Sequence, residues 1–485
     1  MTLPKRFLAP LILIAGCTVG PNFTAPKAPA QNAYVPGAAP QAADQHFAMG
    51  QKIAGEWWTL YRSPPLDALL RQAVTGNRSL AASEATLAAA QESLTIARGG
   101  LFPQIDANLG ATRQHINGAQ FGLPRLPPQF PAYSNIFRVG ASVSYMVDVF
   151  GLTRRGIEES GALEQAQDYA LDAAYLALTG NAVTEALTVA SLRLQIATVQ
   201  GIIGDDETNL RLVNSEVRAG VGTQLDIETA RAQLATDRTL LPPLQQQLEV
   251  ARHALAVLAG RPTSTFTPPD FDLDRIALPA DLPVSLPSDL VRQRPDILAS
   301  EAQLHAASAA IGVATAALYP NLTLSANLTQ QAISVDSLFN TASNVGAIAA
   351  GLTAPIFHGG TLEAQRRRAE DDYQAALATY EQTVLQSFSQ VADVLEALSH
   401  DADLLKEQEA ALKAAQASLD LTRRAYSLGS VGILQVTDAQ RQLEQARLGQ
   451  VRARAQRYID TAQLFVAMGG GWWNWRGSPA TASSH

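Results

Sequence analysis

Few residues in this 485-residue chain are of a type and spacing that could do chemistry. Three adjacent carboxylate pairs, Glu158-Glu159, Asp205-Asp206 and Asp371-Asp372, are the arrangement that general acid–base work would use. Each lies within or beside a long proline-free stretch, and no nucleophile–base constellation or phosphate loop accompanies them. Solvated helix faces are therefore expected there, and no enzyme is expected. The seven histidines are scattered, and the single cysteine, Cys17, excludes a disulfide framework and a Cys-based zinc site, so no metal and no soluble cofactor are expected. A net charge of −8 lacks the basic footprint that nucleic acid requires.

The chemistry open to Cys17 is acylation. Lys5 and Arg6 form a positive start, Phe7 to Ala15 a short apolar stretch, and Ile14-Ala15-Gly16-Cys17 a small-residue cleavage site. This is a signal peptide too short to remain as a spanning helix. The tetrapeptide resembles the bacterial lipobox, which implies a diacylglycerol on the Cys17 thiol and an N-acyl chain, such as palmitate, on its amine after cleavage. Thr18, where aspartate would signal retention in the inner membrane, implies sorting to the outer membrane. Loss of Lys5 and Arg6 takes the charge from −8 to −10. Beyond residue 17 no window of about 18 uncharged apolar residues is found, so a membrane crossing would have to use β-strands.

The elements that must position these residues come in duplicate. Ala82-Ser83-Glu84-Ala85-Thr86-Leu87 recurs as Ala299-Ser300-Glu301-Ala302-Gln303-Leu304, and Leu101-Phe102-Pro103-Gln104-Ile105 as Leu318-Tyr319-Pro320-Asn321-Leu322, both at a shift of 217. Gly220, Leu225, Ala230, Gln233, Leu234 and Gly260 return as Gly429, Leu434, Ala439, Gln442, Leu443 and Gly469 at a shift of 209. The Pro-rich loop Gly122 to Ala132 accounts for the difference. Each half reads helix, strand, strand, long helix, helix.

Leu66 to Gly99 is a helix ended by Pro103. Period-two alternation at Ile105, Ala107, Leu109 and Ala111, at Phe137 to Val147, at Leu322 to Leu328 and at Ile348 to Leu352 gives four strands of about ten residues. Proline-free runs from Gly156 to Arg218 and from Gly360 to Leu428 could each extend about 95–100 Å as helix. Tyr373, Leu377, Tyr380, Val384, Phe388, Val391, Leu395 and Leu398 carry coiled-coil spacing along the second run. Glycine turns at Gly220-Val221-Gly222 and Gly429-Ser430-Val431-Gly432 then reverse the chain.

The organisation expected is a signal peptide (1–16), a lipidated N-terminal segment (17–65), a first repeat (66–260), a Pro-rich linker (261–287), a second repeat (288–471) and a tail (472–485). A composition of 47% hydrophobic, 6% aromatic and 16% charged residues fits long helices packed on alanine and excludes a disordered chain. Four strands cannot close a membrane barrel, and open edges are not tolerated in lipid, so sister chains are required, two for eight strands or three for twelve.

Val19-Gly20-Pro21-Asn22-Phe23 after the lipobox, Trp57-Trp58 before Leu66-Asp67-Ala68-Leu69, Arg294-Pro295-Asp296-Ile297, Ala354-Pro355-Ile356-Phe357, Asp438-Ala439-Gln440-Arg441 and Gly469-Gly470-Gly471-Trp472 together resemble the outer-membrane factor (TolC-like) family, in its OprM-like efflux lipoprotein branch. The resemblance implies a mixed α/β membrane duct, with a long α-helical coiled-coil barrel below a transmembrane β-barrel of four strands per chain and twelve per homotrimer. It implies the gated exit duct of a tripartite efflux pump in the outer membrane, reaching into the periplasm. The partners implied are a periplasmic adaptor (membrane fusion) protein, an inner-membrane RND-type pump and outer-membrane lipid.

Small molecules such as drugs are the implied cargo, with multidrug resistance as the associated phenotype. The alternatives weighed are the duct of a type I protein secretion system and a structural periplasmic coiled-coil lipoprotein. By resemblance, a periplasmic gate falls on Leu434, Asp438, Asp226 and Tyr426. Adaptor contacts fall on Gly220, Val221, Gly222, Gly429, Val431 and Gly432.

Overall fold

The computed structural model describes residues 18–472, except 30, 32, 37–43, 52, 116, 118, 120–121, 123, 125–126 and 128–132. The expectations for the signal peptide, for lipidation of Cys17, for most of the Pro-rich loop and for the tail beyond Trp472 lie outside the described residues.

In chain order the elements are β1 (His46–Met49), a 3-10 turn (Trp57–Tyr61), α1 (Pro64–Gly76), α2 (Arg78–Gly99), β2 (Gln104–His115), β3 (Tyr133–Val147), α3 (Leu152–Arg218), α4 (Gln224–Arg238), α5 (Leu241–Leu258), β4 (Asp281–Val284), α6 (Pro287–Leu290), α7 (Pro295–Ala316), β5 (Asn321–Ala332), β6 (Asn344–Thr353), α8 (Thr361–Ser427) and α9 (Ile433–Ala467). The two long helices have 67 residues each. Of the described residues, those within Met1–Pro26, Leu87–Ala166 and Ser300–Tyr380 form one compact unit and the remainder a second.

Four details depart from the sequence reading. The helix expected from Leu66 to Gly99 is two helices, because Asn77 leaves the helical conformation. Its Oδ1 accepts from the Leu80 N–H at 2.9 Å and its Nδ2 donates to the Leu258 carbonyl at 3.0 Å, a side-chain competition with the helical ladder. The last helix of the first repeat is likewise split into α4 and α5, since Pro242 and Pro243 offer no N–H to the preceding turn. At a shift of 209 the second repeat has Val451 and Arg452 there, and α9 runs unbroken.

The third departure is a parallel pair, β1 with β4, in register from His46 opposite Asp281 to Met49 opposite Val284. The fourth is that α3 does hold a stretch apolar enough, by length and composition, to cross a membrane. Half of that stretch is buried inside the protein, and Ala182, Val183, Ala186, Leu187 and Ala190 of α3 are at most 1% exposed. Its apolarity serves helix packing.

In the first unit the strands form one antiparallel sheet in the order β2-β3-β5-β6. Register aligns the period-two pattern across it. Ile105, Val143, Ala326 and Ile348 form one row, and the next row, pointing to the opposite face, is Asp106, Ser142, Asn327 and Ala347. One face is thus apolar and the other small and mostly polar. Both edge strands, β2 and β6, are exposed at every residue.

The N-terminal segment is bolted to the same unit. Phe23 stacks on His305 with ring centroids 4.4 Å apart. Arg155 donates to the carbonyls of Val19 at 3.1 Å and Gly20 at 3.2 Å and to Asn22 Oδ1 at 2.8 Å. Glu158, expected on a solvated face, instead accepts from Arg155 at 2.6 Å and pairs with His305 at 3.0 Å.

The core of the second unit uses the residues that carried the resemblance. Trp57 stacks on Phe465 at 5.2 Å, and Tyr61, fully buried, donates its hydroxyl to the Tyr458 carbonyl at 3.0 Å. Arg294 holds Asp296 at 2.6 Å and the Ala467 carbonyl at 3.0 Å. Along the part of α8 in this unit, Val384, Val391, Leu395 and Leu398 are buried, as the coiled-coil spacing requires.

Candidate gate at the helical hairpin turns

Both glycine turns have the same construction. Gly220 and Gly429 adopt φ of +77° and +72°, a left-handed conformation that ends a helix at little cost only for glycine. The Val221 N–H returns to the Glu216 carbonyl and the Ser430 N–H to the Ala425 carbonyl, each at 2.9 Å, which is the Schellman pattern. Val221, at the tip, is 81% exposed.

Beside the turns, the ends of α3, α4, α8 and α9 share one apolar cluster of Val213, Ile227, Ala230, Leu419, Ile433, Val436, Ala439 and Leu443. Leu434 lies between two members of that cluster yet is 61% exposed, and its repeat counterpart Leu225 is 69% exposed. Leu434 is therefore not part of the chain's own coiled-coil core, and both leucines present free apolar side chains near the turns.

Among the described residues no hydrogen bond or ion pair joins Asp226, Asp438 and Tyr426 to one another. Asp226 forms a capping box with Thr223, its Oδ2 accepting from the Thr223 N–H at 2.7 Å and its N–H donating to Thr223 Oγ1 at 3.3 Å. That arrangement gives Asp226 a structural role at the start of α4. Asp438 pairs with Arg441 one turn on and accepts from Gln442 at 2.8 Å. At the start of α9, Gln435 accepts from the Gly432 N–H at 3.1 Å.

Among the described residues, Tyr426 makes the one long-range polar link of the set. Its hydroxyl donates to Glu216 Oε2 at 2.6 Å, joining the end of α8 to the end of α3. Burial first, and then the Glu216 hydrogen bond, push the phenol up to about 12.

Two acidic groupings escaped the sequence reading. Asp206, expected on a solvated face, is 3% exposed, and carboxylate oxygens of Asp206, Asp237 and Glu444 lie within 4.8 Å of one another. Burial, with Asp237 and Glu444 alongside, pushes Asp206 up to about 8, and burial followed by the charge of Asp237 pushes Glu444 up to about 7. Asp401 lies against Asp460 and rises to about 7, chiefly through burial and then through that neighbour. Residues 206, 237 and 444 are on three separate helices, so no spacing could have revealed them. Of the other carboxylate pairs, Asp371 and Asp372 are exposed as expected.

Comparison with known proteins agrees with this architecture. The family described as outer membrane efflux protein matches residues 69–261 and 286–470, once in each half of the chain. The pyoverdine export outer membrane protein OpmQ of Pseudomonas aeruginosa is 32% identical over 465 residues, 95% of each chain. The toluene efflux pump outer membrane protein TtgI of Pseudomonas putida is 28% identical, covering 95% of this chain and 97% of its own. The solved outer-membrane channel OprN superposes with a TM-score of 0.84 at 27% identity, over 94% of this chain and all of that one. The chain belongs to the outer membrane efflux protein family, whose members are transport ducts, and is a TolC-like outer-membrane channel protein.

Proposed function

We propose that three copies of this chain join their four-stranded sheets edge to edge into a twelve-stranded barrel, and that the trimer is the exit duct of a tripartite efflux pump for small molecules. The observation that carries this reading is the pair of open edges, β2 and β6, on a sheet whose rows alternate between apolar and small polar residues. In lipid each unpaired backbone group costs several kcal/mol, so those edges need partners, and the apolar rows then face lipid while the polar rows face water. The exposed leucines Leu225 and Leu434 and the acid Asp438 supply groups that can converge from three chains near the turns. The gate is assigned to Leu434, Asp438 and Tyr426, with Asp226 as a helix cap beside it.

A periplasmic adaptor docks on the tips at Gly220-Val221-Gly222 and Gly429 to Gly432, and an inner-membrane RND-type pump feeds the duct. Relatives that export pyoverdine and toluene support a duct for small molecules. A diacylglycerol and an N-acyl chain on Cys17 add anchoring of about 0.8 kcal/mol per buried CH₂. Chemical crosslinking of the detergent-purified protein tests the assembly. A ladder ending at three times the chain mass is expected, and one that stops at the dimer would overturn the twelve-stranded barrel.

A further inference from the structure

The cluster of Asp206 on α3, Asp237 on α4 and Glu444 on α9 has no role in the duct reading above. The three residues are 3%, 5% and 6% exposed, and among the described residues none forms an ion pair with Arg, Lys or His. The nearby cation Arg447 is held instead by Asp205 at 3.3 Å. Donors reach only part of the cluster. Gln440 Nε2 donates to Asp206 Oδ1 at 2.5 Å, and Gln233 Nε2 donates to Asp237 Oδ2 at 2.7 Å. Asp206 Oδ2 and Glu444 Oε1 are fully buried, and among the described residues no N–H or O–H donor reaches either atom; the neighbour that faces Asp206 is the Asp237 carboxyl group.

Buried lone pairs without a donor are costly, and uncompensated buried carboxylates more so. A bound cation resolves both. Calcium binds oxygen at about 2.3–2.6 Å, so oxygens that share one ion stand no more than about 5 Å apart, a limit that the carboxylate oxygens of this cluster, all within 4.8 Å of one another, meet. All the candidate donors are hard oxygens, with no thiolate or imidazole to favour copper or zinc. Three protein carboxylates supply part of the six to eight oxygens that calcium takes in flexible geometry, which suits it better than magnesium, which dehydrates reluctantly and demands tighter geometry.

We propose that Asp206, Asp237 and Glu444 form a binding site for one hard divalent cation per chain, calcium in preference to magnesium. The ion ties α9 of the second repeat to α3 and α4 of the first. Asp206 stands fourteen positions before Gly220, so the tie sits at the base of the hairpins and restrains their movement.

The test is equilibrium dialysis of the chelator-treated, full-length protein in detergent at pH 7.5 against radioactive calcium chloride alone, with magnesium chloride as competitor. About one calcium per chain is expected, with magnesium at least tenfold weaker. Asp237→Asn and Glu444→Gln are each expected to lower calcium affinity at least tenfold, while Asp371→Asn, on an exposed face, leaves it unchanged. Circular dichroism of each variant confirms that the helices are intact. Should a variant fail to fold, terbium luminescence on the unaltered protein, reversed by calcium at one site per chain, carries the test. Absence of stoichiometric binding in the unaltered protein would overturn the site. So would calcium affinity that is untouched by folded Asp237→Asn and Glu444→Gln variants, an outcome that would mark the cluster as carboxyl groups sharing protons.

Discussion

Removing the Tyr426 hydroxyl tests whether the hairpin ends are latched within each chain. In Tyr426→Phe the 2.6 Å bond to Glu216 is lost, while the ring keeps its place against the apolar cluster of the four helix ends. A hydrogen bond to a charged acceptor contributes about 1.5–3 kcal/mol, and partial exposure of Tyr426 favours the lower end. A loss of about 1.5 kcal/mol is roughly a tenfold shift per chain toward the unlatched arrangement. Because the phenol is pushed up to about 12, the hydroxyl remains a donor throughout the range in which bilayers are stable, and the effect should not vary between pH 5 and 9.

The assay is single-channel recording in planar bilayers of the unaltered protein, of Tyr426→Phe, of Glu216→Ala and of the double variant. Open probability should rise in each single variant, and the double variant should add little to either. That non-additivity identifies the bond as the shared element. Unchanged open probability in Tyr426→Phe, or full additivity in the double variant, would refute the latch.

Three further outcomes are expected. Leu434→Ala combined with Asp438→Ala should raise bilayer conductance and admit vancomycin into cells, and equal conductance would remove these residues from the gate. Gly260→Ala should abolish assembled protein in membrane fractions. Gly260 has φ +67° and a Cβ there would fall 1.9 Å from the Gly76 carbonyl oxygen, so normal yield would show that this crossing can relax. Asp401→Asn should flatten the dependence of stability on pH.

The folded chain holds the Asp401 proton up to about pH 7 and the unfolded chain releases it near 3.8, so this group's contribution is full below pH 3.8 and is lost as pH rises to about 7. The advantage of the Asn variant should grow across that window to about 2 kcal/mol after solvent screening and level off above it. Thermal melts at matched scan rate measure it, and parallel pH profiles for the two proteins would count against the assignment.

Much of the fold was legible because it is periodic. Strands of alternating residues and long runs without proline have signatures at 2.0 and 3.6 residues, and the duplicated blocks state each element twice. Both glycine turns were legible for the same reason, since a left-handed helix end has a strong residue preference. The breaks at Asn77 and at Pro242-Pro243 show the limit. Pro242 is a local signal, whereas Asn77 breaks the helix partly because the Leu258 carbonyl, 181 positions away, takes its amide. The pairing of β1 with β4 depends on partners 235 positions apart and has no local trace.

By itself the sequence determined the four long strands, the long helices, their order and the duplication, because each follows from local periodicity. Only the tertiary structure decided which acids are solvated and which are buried. Asp205 and Asp206 are neighbours in sequence, yet a helix turns successive residues about 100° apart, so Asp205 meets Arg447 at the surface while Asp206 enters a cluster with Asp237 and Glu444. Burial and charge are properties of what other helices bring to a side chain, and those helices lie 31 and 238 positions further along the chain.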